Sequence, residues 1–270
     1  MIDTITAKEA GTIKIGDLSV NRLGLGTNRL TDTDENRHLL TTAIELDVNF
    51  IDTAHRYTGG NSEIAIGNTL SPYQDGLVIT TKGGWNDTRP EQLRDLVEES
   101  LRRLKIDCID LYQLHRVNPT VPLEDSVGML KRFQDEGKIR HIGLSEVSIE
   151  QLEQAQKVAP IVSVQNEYNV MVRTHEALVD YCTEHSIAFI PWFPLGGLAG
   201  GAEEVVARLA DISTKYHARP QQLALAWLLK RSPMMLPIPG TLSVEHLKAN
   251  LASATFNLTE EDYQLLTKMA

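Results

Sequence analysis

Cysteine is scarce in this chain: two among 270 residues, Cys108 and Cys182. A disulfide scaffold needs more cysteines in a shorter chain, so both are read as small buried hydrophobes. Positive charge is in deficit as well. There are 26 Lys and Arg against 36 Asp and Glu, a net charge of -10, with no basic cluster. Such a surface repels phosphate backbones and anionic lipid, which excludes nucleic acid and membrane surfaces as partners. No apolar run approaches the ~18 residues that span a bilayer. The opening stretch "MIDTITAKEAG" has neither a basic start nor an apolar core, unlike a secretory signal. The expectation is a cytoplasmic protein. His, Cys, Asp and Glu nowhere fall at metal-ligand spacing, so no metal is expected.

What is present is a regular alternation. At 42% hydrophobic the chain can bury a large core. Short apolar, β-branched runs alternate with longer segments of helical periodicity. "VNFIDT" precedes "NSEIAIGNTL", which opens on an Asn-Ser cap. "GLVITTK" precedes "RPEQLRDLVEESLRRLK", with Pro90 in its first turn. "CIDLYQLH" precedes a helix stopped by Gly137, and the pattern continues through "IRHIGLS", "IVSVQN", "IAFIPW" and "MLPIPG". An extra helical stretch, "RPQQLALAWLLKRS", stands before the last strand. About eight such units with no linker between them predict one domain over residues 1–270. Apolar strands without alternation imply a parallel sheet buried on both faces. The predicted fold is an α/β (β/α)8 barrel. An open doubly wound sheet is the rival, but "GLGTNRL" offers Gly24 and Gly26 without a third glycine. The segment "GTIKIGDLSVNRL" reads as a hairpin turning at Gly16 and Asp17, placed to plug one barrel mouth.

In a barrel the C-terminal strand ends share one face, where catalytic groups collect. The second strand ends at Asp52, with Tyr57 just beyond; the third ends at Lys82; the fourth at His115. Singly, each has a plain structural reading: a turn or cap for Asp52, a rim aromatic for Tyr57, a solvated end for Lys82, a structural role for His115. Together, at consecutive strand ends, they read as one site. A phenol ordinarily titrates near ~10. An ammonium within a few Å favours the phenolate, and a carboxylate holds that ammonium charged and in place. A neighbouring imidazole can polarise a carbonyl oxygen. The set makes an acid for an oxygen gaining negative charge, with no nucleophile for acyl transfer. The other histidines considered, His38, His141, His175, His185 and His217, fall in helical or linking segments without a consistent partner.

The segments "NFIDTAHRYTGGNSEIAIG", "ITTKGG", "IDLYQLHRV", "GKIRHIGLSEVS", "VQNEYNV", "FIPWFPLGGLAGG" and "PIPGTLSVEHLKANLA" resemble the aldo-keto reductase family in order and spacing, over nearly the whole chain. The resemblance implies a (β/α)8 barrel that reduces a carbonyl with NADPH, or runs the reverse oxidation. It assigns Tyr57 as general acid, Lys82 as its activator, Asp52 as the lysine's partner and His115 as the carbonyl orienter. It implies cofactor contacts at Gly26, Thr27, Asn28 and Asp52, and places Ser145 and Gln165 at the carboxamide. Trp192 would face the nicotinamide ring, and Phe193, Pro194, Leu195 and Gly196 would follow the pyrophosphate. Ile238, Gly240, Thr241, Ser243, His246 and Asn250 would hold the adenosine end. Trp85 is a candidate wall of the substrate pocket alongside Tyr57 and His115, with rim packing as its alternative.

Two departures from the family pattern carry consequences. Glu146 stands where an Asn often follows the serine, which weakens one carboxamide bond. Gly240, Leu242 and His246 stand where relatives carry Lys or Arg, and those residues give phosphate recognition much of its strength. A weaker preference for NADPH is therefore expected, with some use of NADH. If His246 meets the 2′-phosphate, affinity should fall as the imidazole loses its proton. Several segments are most similar to a bacterial pyridoxal-reducing subgroup, which implies pyridoxal as a substrate. The sequence stops at Ala270 without a long final loop, which implies an open pocket and a broad choice of small carbonyls. The oligomeric state is open, and a monomer is compatible with the sequence. Two rival functions stand beside this reading: a Schiff-base lyase using Lys82, and a non-catalytic nucleotide-binding regulatory subunit.

Overall fold

Gly16 takes a left-handed φ of 60°, and this closes a two-residue hairpin turn. Glycine adopts that conformation without steric cost, since it has no Cβ. The strands it joins, β1 (Thr12–Ile15) and β2 (Leu18–Asn21), pair antiparallel with Ile15 opposite Leu18. The turn is held by Asp17, which accepts from Arg140 and lies 2.6 Å from His141 Nε2. His141, within the strand run "IRHIGLS", thus has a partner where the sequence suggested none; the partner is 124 residues away. The coordinates are a computed structural model, which describes residues 5–196, 198 and 203–269.

Seven further strands follow in chain order and pair parallel, each with the next. They are β3 (Leu25–Gly26), β4 (Phe50–Asp52), β5 (Val78–Gly83), β6 (Ile109–Leu114), β7 (Ile139–Ser145), β8 (Ile161–Gln165) and β9 (Ala188–Phe189). Every residue of β5 is buried, as expected for a sheet covered on both faces. The predicted eighth strand, "MLPIPG", forms bridges and no continuous ladder. Phe189 N donates to Met234 O, Leu236 N to Phe189 O, and Gly24 N to Pro237 O. Parallel bridges join Met235 to Phe189 and Gly240 to Gly26. Pro237 and Pro239 have no N–H to donate, which is why the ladder is broken although the ring is closed. The closure is tight: a Cβ on Gly26 would lie 2.6 Å from Ile238 O.

Helices cover the outside: α1 (Asp34–Glu45), α2 (Asn61–Leu70), α3 (Pro90–Leu104), α4 (Leu123–Asp135), α5 (Ile149–Gln156), α6 (Glu176–Glu184), α7 (Glu203–Tyr216), α8 (Pro220–Arg231), α9 (Val244–Ala252) and α10 (Glu260–Thr267). The extra helix is α8. The expected Asn-Ser cap of α2 is replaced by Gly60, in the left-handed region. Ser62 instead turns inward and bonds Thr27 and Thr53, so its hydroxyl ties α2 to two strand ends.

Inside the ring, Phe50, Val78, Leu111, Ala188 and Leu236 pack with Ile13, Ile15 and Val20 of the hairpin. Several of these are first residues of their strands, so the hairpin plugs the N-terminal mouth. Cys182 is buried on α6, where burial pushes its thiol up to about 12. Cys108 corrects the sequence expectation: it is exposed, because β6 begins one residue later at Ile109. No helix among the described residues is long and apolar enough to cross a membrane.

Candidate active site

Asp52 is the last residue of β4, and its register with Thr80 sets it beside the end of β5. From there the chain turns through three successive left-handed residues, Thr58, Gly59 and Gly60. Thr58 is held in this costly conformation by its hydroxyl, which donates to Leu30 O at 2.7 Å and to the carbonyl of Tyr57. Such strain persists only where the surroundings over-determine it. His55 N donates to Lys82 O, and Arg103 Nη1 holds His55 O at 3.0 Å. These bonds pin the segment carrying Tyr57 over the end of β5.

Lys82 is wholly buried. A buried ammonium survives only when it is paired. Here Nζ donates to Asp52 Oδ1 at 2.7 Å and to Thr53 O at 2.7 Å. Its third direction points to Tyr57 Oη at 3.4 Å. Burial works to lower the Lys82 pKa, but Asp52 and Tyr57 override it, so the ammonium is held above its ordinary range. The other oxygen of Asp52 accepts from Gln165 Nε2 at 2.8 Å, across the ring from β8. Carboxylate, amine and phenol therefore meet, as their strand-end positions suggested.

His115 follows β6, its N–H bonded to Gly83 O at 2.8 Å. Its imidazole is buried, Nδ1 has no partner, and the ring meets the Tyr57 ring edge-on at 6.0 Å. Burial, then the charges of Lys82, Arg116 and Arg56, push its pKa down to about 2. The imidazole is neutral at physiological pH.

These groups open on a cavity of about 650 Å³, lined among others by Gly26, Thr27, Asn28, Asp52, Tyr57, Trp85 and His115. Ser145, Gln165, Trp192, Phe193, Pro194, Leu195, Ile238 and Gly240 complete the expected members of its wall. Lys82 lies beneath the floor, reached through Asp52 and Tyr57. Gly196 stands behind the wall in the left-handed region, its N–H bonded to Phe193 O. Thr241, Ser243, His246 and Asn250 lie beyond it: Thr241 and Asn250 are buried, Ser243 caps α9, and His246 is exposed on that helix. Glu146, the departure noted in the sequence, has a definite role. Its carboxylate accepts from Glu167 N at 3.0 Å and from Trp192 Nε1, which fixes the indole.

The sequence reading missed Arg29, Arg56, Thr58 and Arg116, all of which line the cavity. Arg56 and Arg116 were findable, since each is the chain neighbour of a predicted site residue, Tyr57 and His115. Their guanidinium groups both stand over the Trp85 indole, at 4.0 and 4.3 Å from its centre.

A family model described as the Aldo/keto reductase family matches residues 22–270. The chain belongs to this family. As an aldo/keto reductase it is an oxidoreductase, and its curved parallel sheet with an N-terminal hairpin is the barrel expected of it. An uncharacterised oxidoreductase of Schizosaccharomyces pombe is 41% identical over 97% of this chain and 90% of its own length. Pyridoxine 4-dehydrogenase of Escherichia coli is 38% identical over 93% of this chain and 96% of its own. An aldo/keto reductase of Klebsiella pneumoniae, solved with NADP and acetate, superposes with a TM-score of 0.86 at 26% identity, covering 96% of this chain and 94% of that one.

Proposed function

We propose that this chain reduces an aldehyde or ketone to an alcohol with NADPH as reductant, and that Tyr57 delivers the proton. The observation that carries the reading is the contact of one buried ammonium, Lys82, with both Asp52 and Tyr57 at the floor of an open cavity. The cavity fits the cofactor. Its volume lies within the usual range of small-molecule and cofactor sites. The Gln165 amide oxygen has no hydrogen-bond partner among the described residues; Gln165 pairs in register with Ser145, and both line the cavity with Trp192. Gly26, Thr27, Asn28, Phe193, Pro194, Leu195 and Gly196 would hold the middle of the dinucleotide, and Ile238, Gly240, Thr241, Ser243, His246 and Asn250 its adenosine end. When bound, the nicotinamide would supply a hydride to the carbonyl carbon.

The protein's own residues account for the proton and the charge. Tyr57 Oη gives its proton to the carbonyl oxygen. Lys82 stabilises the negative charge that the phenol takes on, and Asp52 keeps Lys82 in place. Neutral His115 orients the oxygen as a hydrogen-bond donor and does not compete as the acid. A Schiff-base role for Lys82 is disfavoured, because such a nucleophile needs a lowered pKa and this lysine is held charged.

NADPH oxidation followed with a panel of aldehydes should detect turnover. Tyr57→Phe should lower kcat about 10²- to 10⁴-fold while NADPH still binds. Turnover untouched by that change would remove the acid from the scheme. Pyridoxal is the first aldehyde to test, because the E. coli relative acts on a compound of that class by its name. With no Lys or Arg at positions 240, 242 and 246, the NADPH-to-NADH preference should be modest. Steady-state KM for the two cofactors checks this, and strict NADPH dependence would contradict it.

A further inference from the structure

We propose that the cavity carries a subsite for an anionic group on the carbonyl substrate, a carboxylate or a phosphate, formed by Arg56 and Arg116 about the indole of Trp85. The inference rests on the carbonyl-reductase reading and names its substrate class.

Two cations over one ring are an unfavourable arrangement unless something compensates. The Trp85 face does so in part, through cation–π attraction. A carboxylate would do so fully, yet neither guanidinium has one within ion-pair distance among the described residues. The Arg56 guanidinium makes no hydrogen bond there, and that of Arg116 bonds His115 O at 2.8 Å and Ser145 Oγ at 3.2 Å. The carboxylate felt most by Arg116 is Glu146, which is engaged by Trp192 and the Glu167 N–H. The chain has an excess of acidic residues, 36 against 26 basic ones, and some of its other arginines use them. Arg103 pairs with Glu63 and Glu99, Arg231 with Glu176 and Asp180. Arg56 and Arg116, two of the three arginines that line the cavity, have no carboxylate of their own among the described residues.

Their place separates them from the cofactor's phosphates. Arg56, Trp85 and Arg116 follow β4, β5 and β6. The residues proposed for the pyrophosphate, Phe193 to Gly196, follow β9, and those for the 2′-phosphate, from Gly240 on, follow the closing segment, across the ring. Arg56 and Arg116 adjoin Tyr57 and His115 in the chain, so an anion held by them sits beside the carbonyl end. A planar guanidinium meets a carboxylate or phosphate with two N–H donors, which Lys cannot do. Trp85 is 38% exposed and sits edge-on to His115 at 4.7 Å, which makes it the wall between the two functions.

The test compares kcat/KM for charged and neutral partners at saturating NADPH. 4-Carboxybenzaldehyde is set against 4-carbamoylbenzaldehyde, and pyridoxal 5′-phosphate against pyridoxal. In at least one pair the charged member should be favoured about tenfold or more, chiefly through KM, and that preference should shrink at high salt. The pair that responds identifies the anion. The preference should fall several-fold in Arg116→Gln and in Arg56→Gln, the latter at an exposed position and safe for folding. A ratio near one in both pairs overturns the subsite, as does a ratio unchanged in both variants. If none of the four aldehydes is reduced, the reductase reading fails separately. Calorimetry with benzoate and benzamide on the NADP-loaded protein then decides the subsite. Tighter benzoate binding that is weakened by Arg56→Gln keeps it, and equal binding ends it.

Discussion

At the scale of single residues, the site works by making burial and charge oppose each other. Lys82 keeps its charge in the interior because Asp52, Thr53 and Tyr57 surround it. His115, close by, loses its charge because burial is compounded by cationic neighbours. That His115 pKa has a consequence for stability. The folded imidazole resists protonation down to about pH 2. In the unfolded chain it protonates near ~6.5. Its stabilising share is complete above ~6.5 and is lost as pH falls toward the folded value. Below ~6, stability should therefore decline more steeply in the wild type than in His115→Gln, by up to roughly 1.4 kcal/mol per pH unit. Urea unfolding of both proteins between about pH 4 and 7 gives the two slopes; parallel slopes would mean the imidazole is not held neutral. Tyr57, Lys82 and Asp52 were legible at this scale from their residue types at consecutive strand ends. Arg56 and Arg116 were flagged only by adjoining Tyr57 and His115; that their guanidinium groups share the Trp85 indole needed the tertiary structure.

At the scale of elements, helices α2 and α3 are locked together close to the site. Arg103 on α3 reaches the buried carboxylate of Glu63 on α2 at 3.2 Å and the carbonyl of His55 at 3.0 Å. Thr81 of β5 donates to the same carboxylate at 2.6 Å. The approach is possible because α2 presents Gly67. A Cβ there would lie 2.2 Å from Arg103 O, which only backbone movement could relieve. Gly67→Ala should cost about 1–3 kcal/mol, since overpacking outweighs the better helix propensity of alanine. Thermal unfolding measures it, and a stabilised variant would show that the helices are not in close contact. The periodicity of α2 was readable in sequence, but its cap was not. "NSE" matches a capping pattern, and the inward pull of Thr27 and Thr53 on Ser62 overrode it.

At the scale of the whole molecule, the two barrel mouths are divided between stability and chemistry. The hairpin fills the N-terminal mouth with Ile13, Ile15 and Val20, while Asp52, Tyr57, Lys82 and His115 stand at the other. Changing one end and leaving the other intact should then separate the two properties. Ile15→Ala truncates a fully buried side chain. It should lower stability by about 2–5 kcal/mol. Its kcat, measured well below the unfolding transition, should stay near that of the wild type. A large loss of kcat at full folding would mean the plug shapes the active end.

The sequence by itself determined the repeat of strand and helix, the hairpin turn at Gly16 and Asp17, and the residue types at the strand ends. These follow from local chemistry: apolar period, turn residues and the limited ways a chain of alternating units can bury both faces of its sheet. Tertiary structure alone decided the bridged form of the eighth strand, the exposure of Cys108, the partner of His141, and the pairing of Arg56 and Arg116 over Trp85. Each depends on what a distant segment brings to the same point, and no local pattern encodes that.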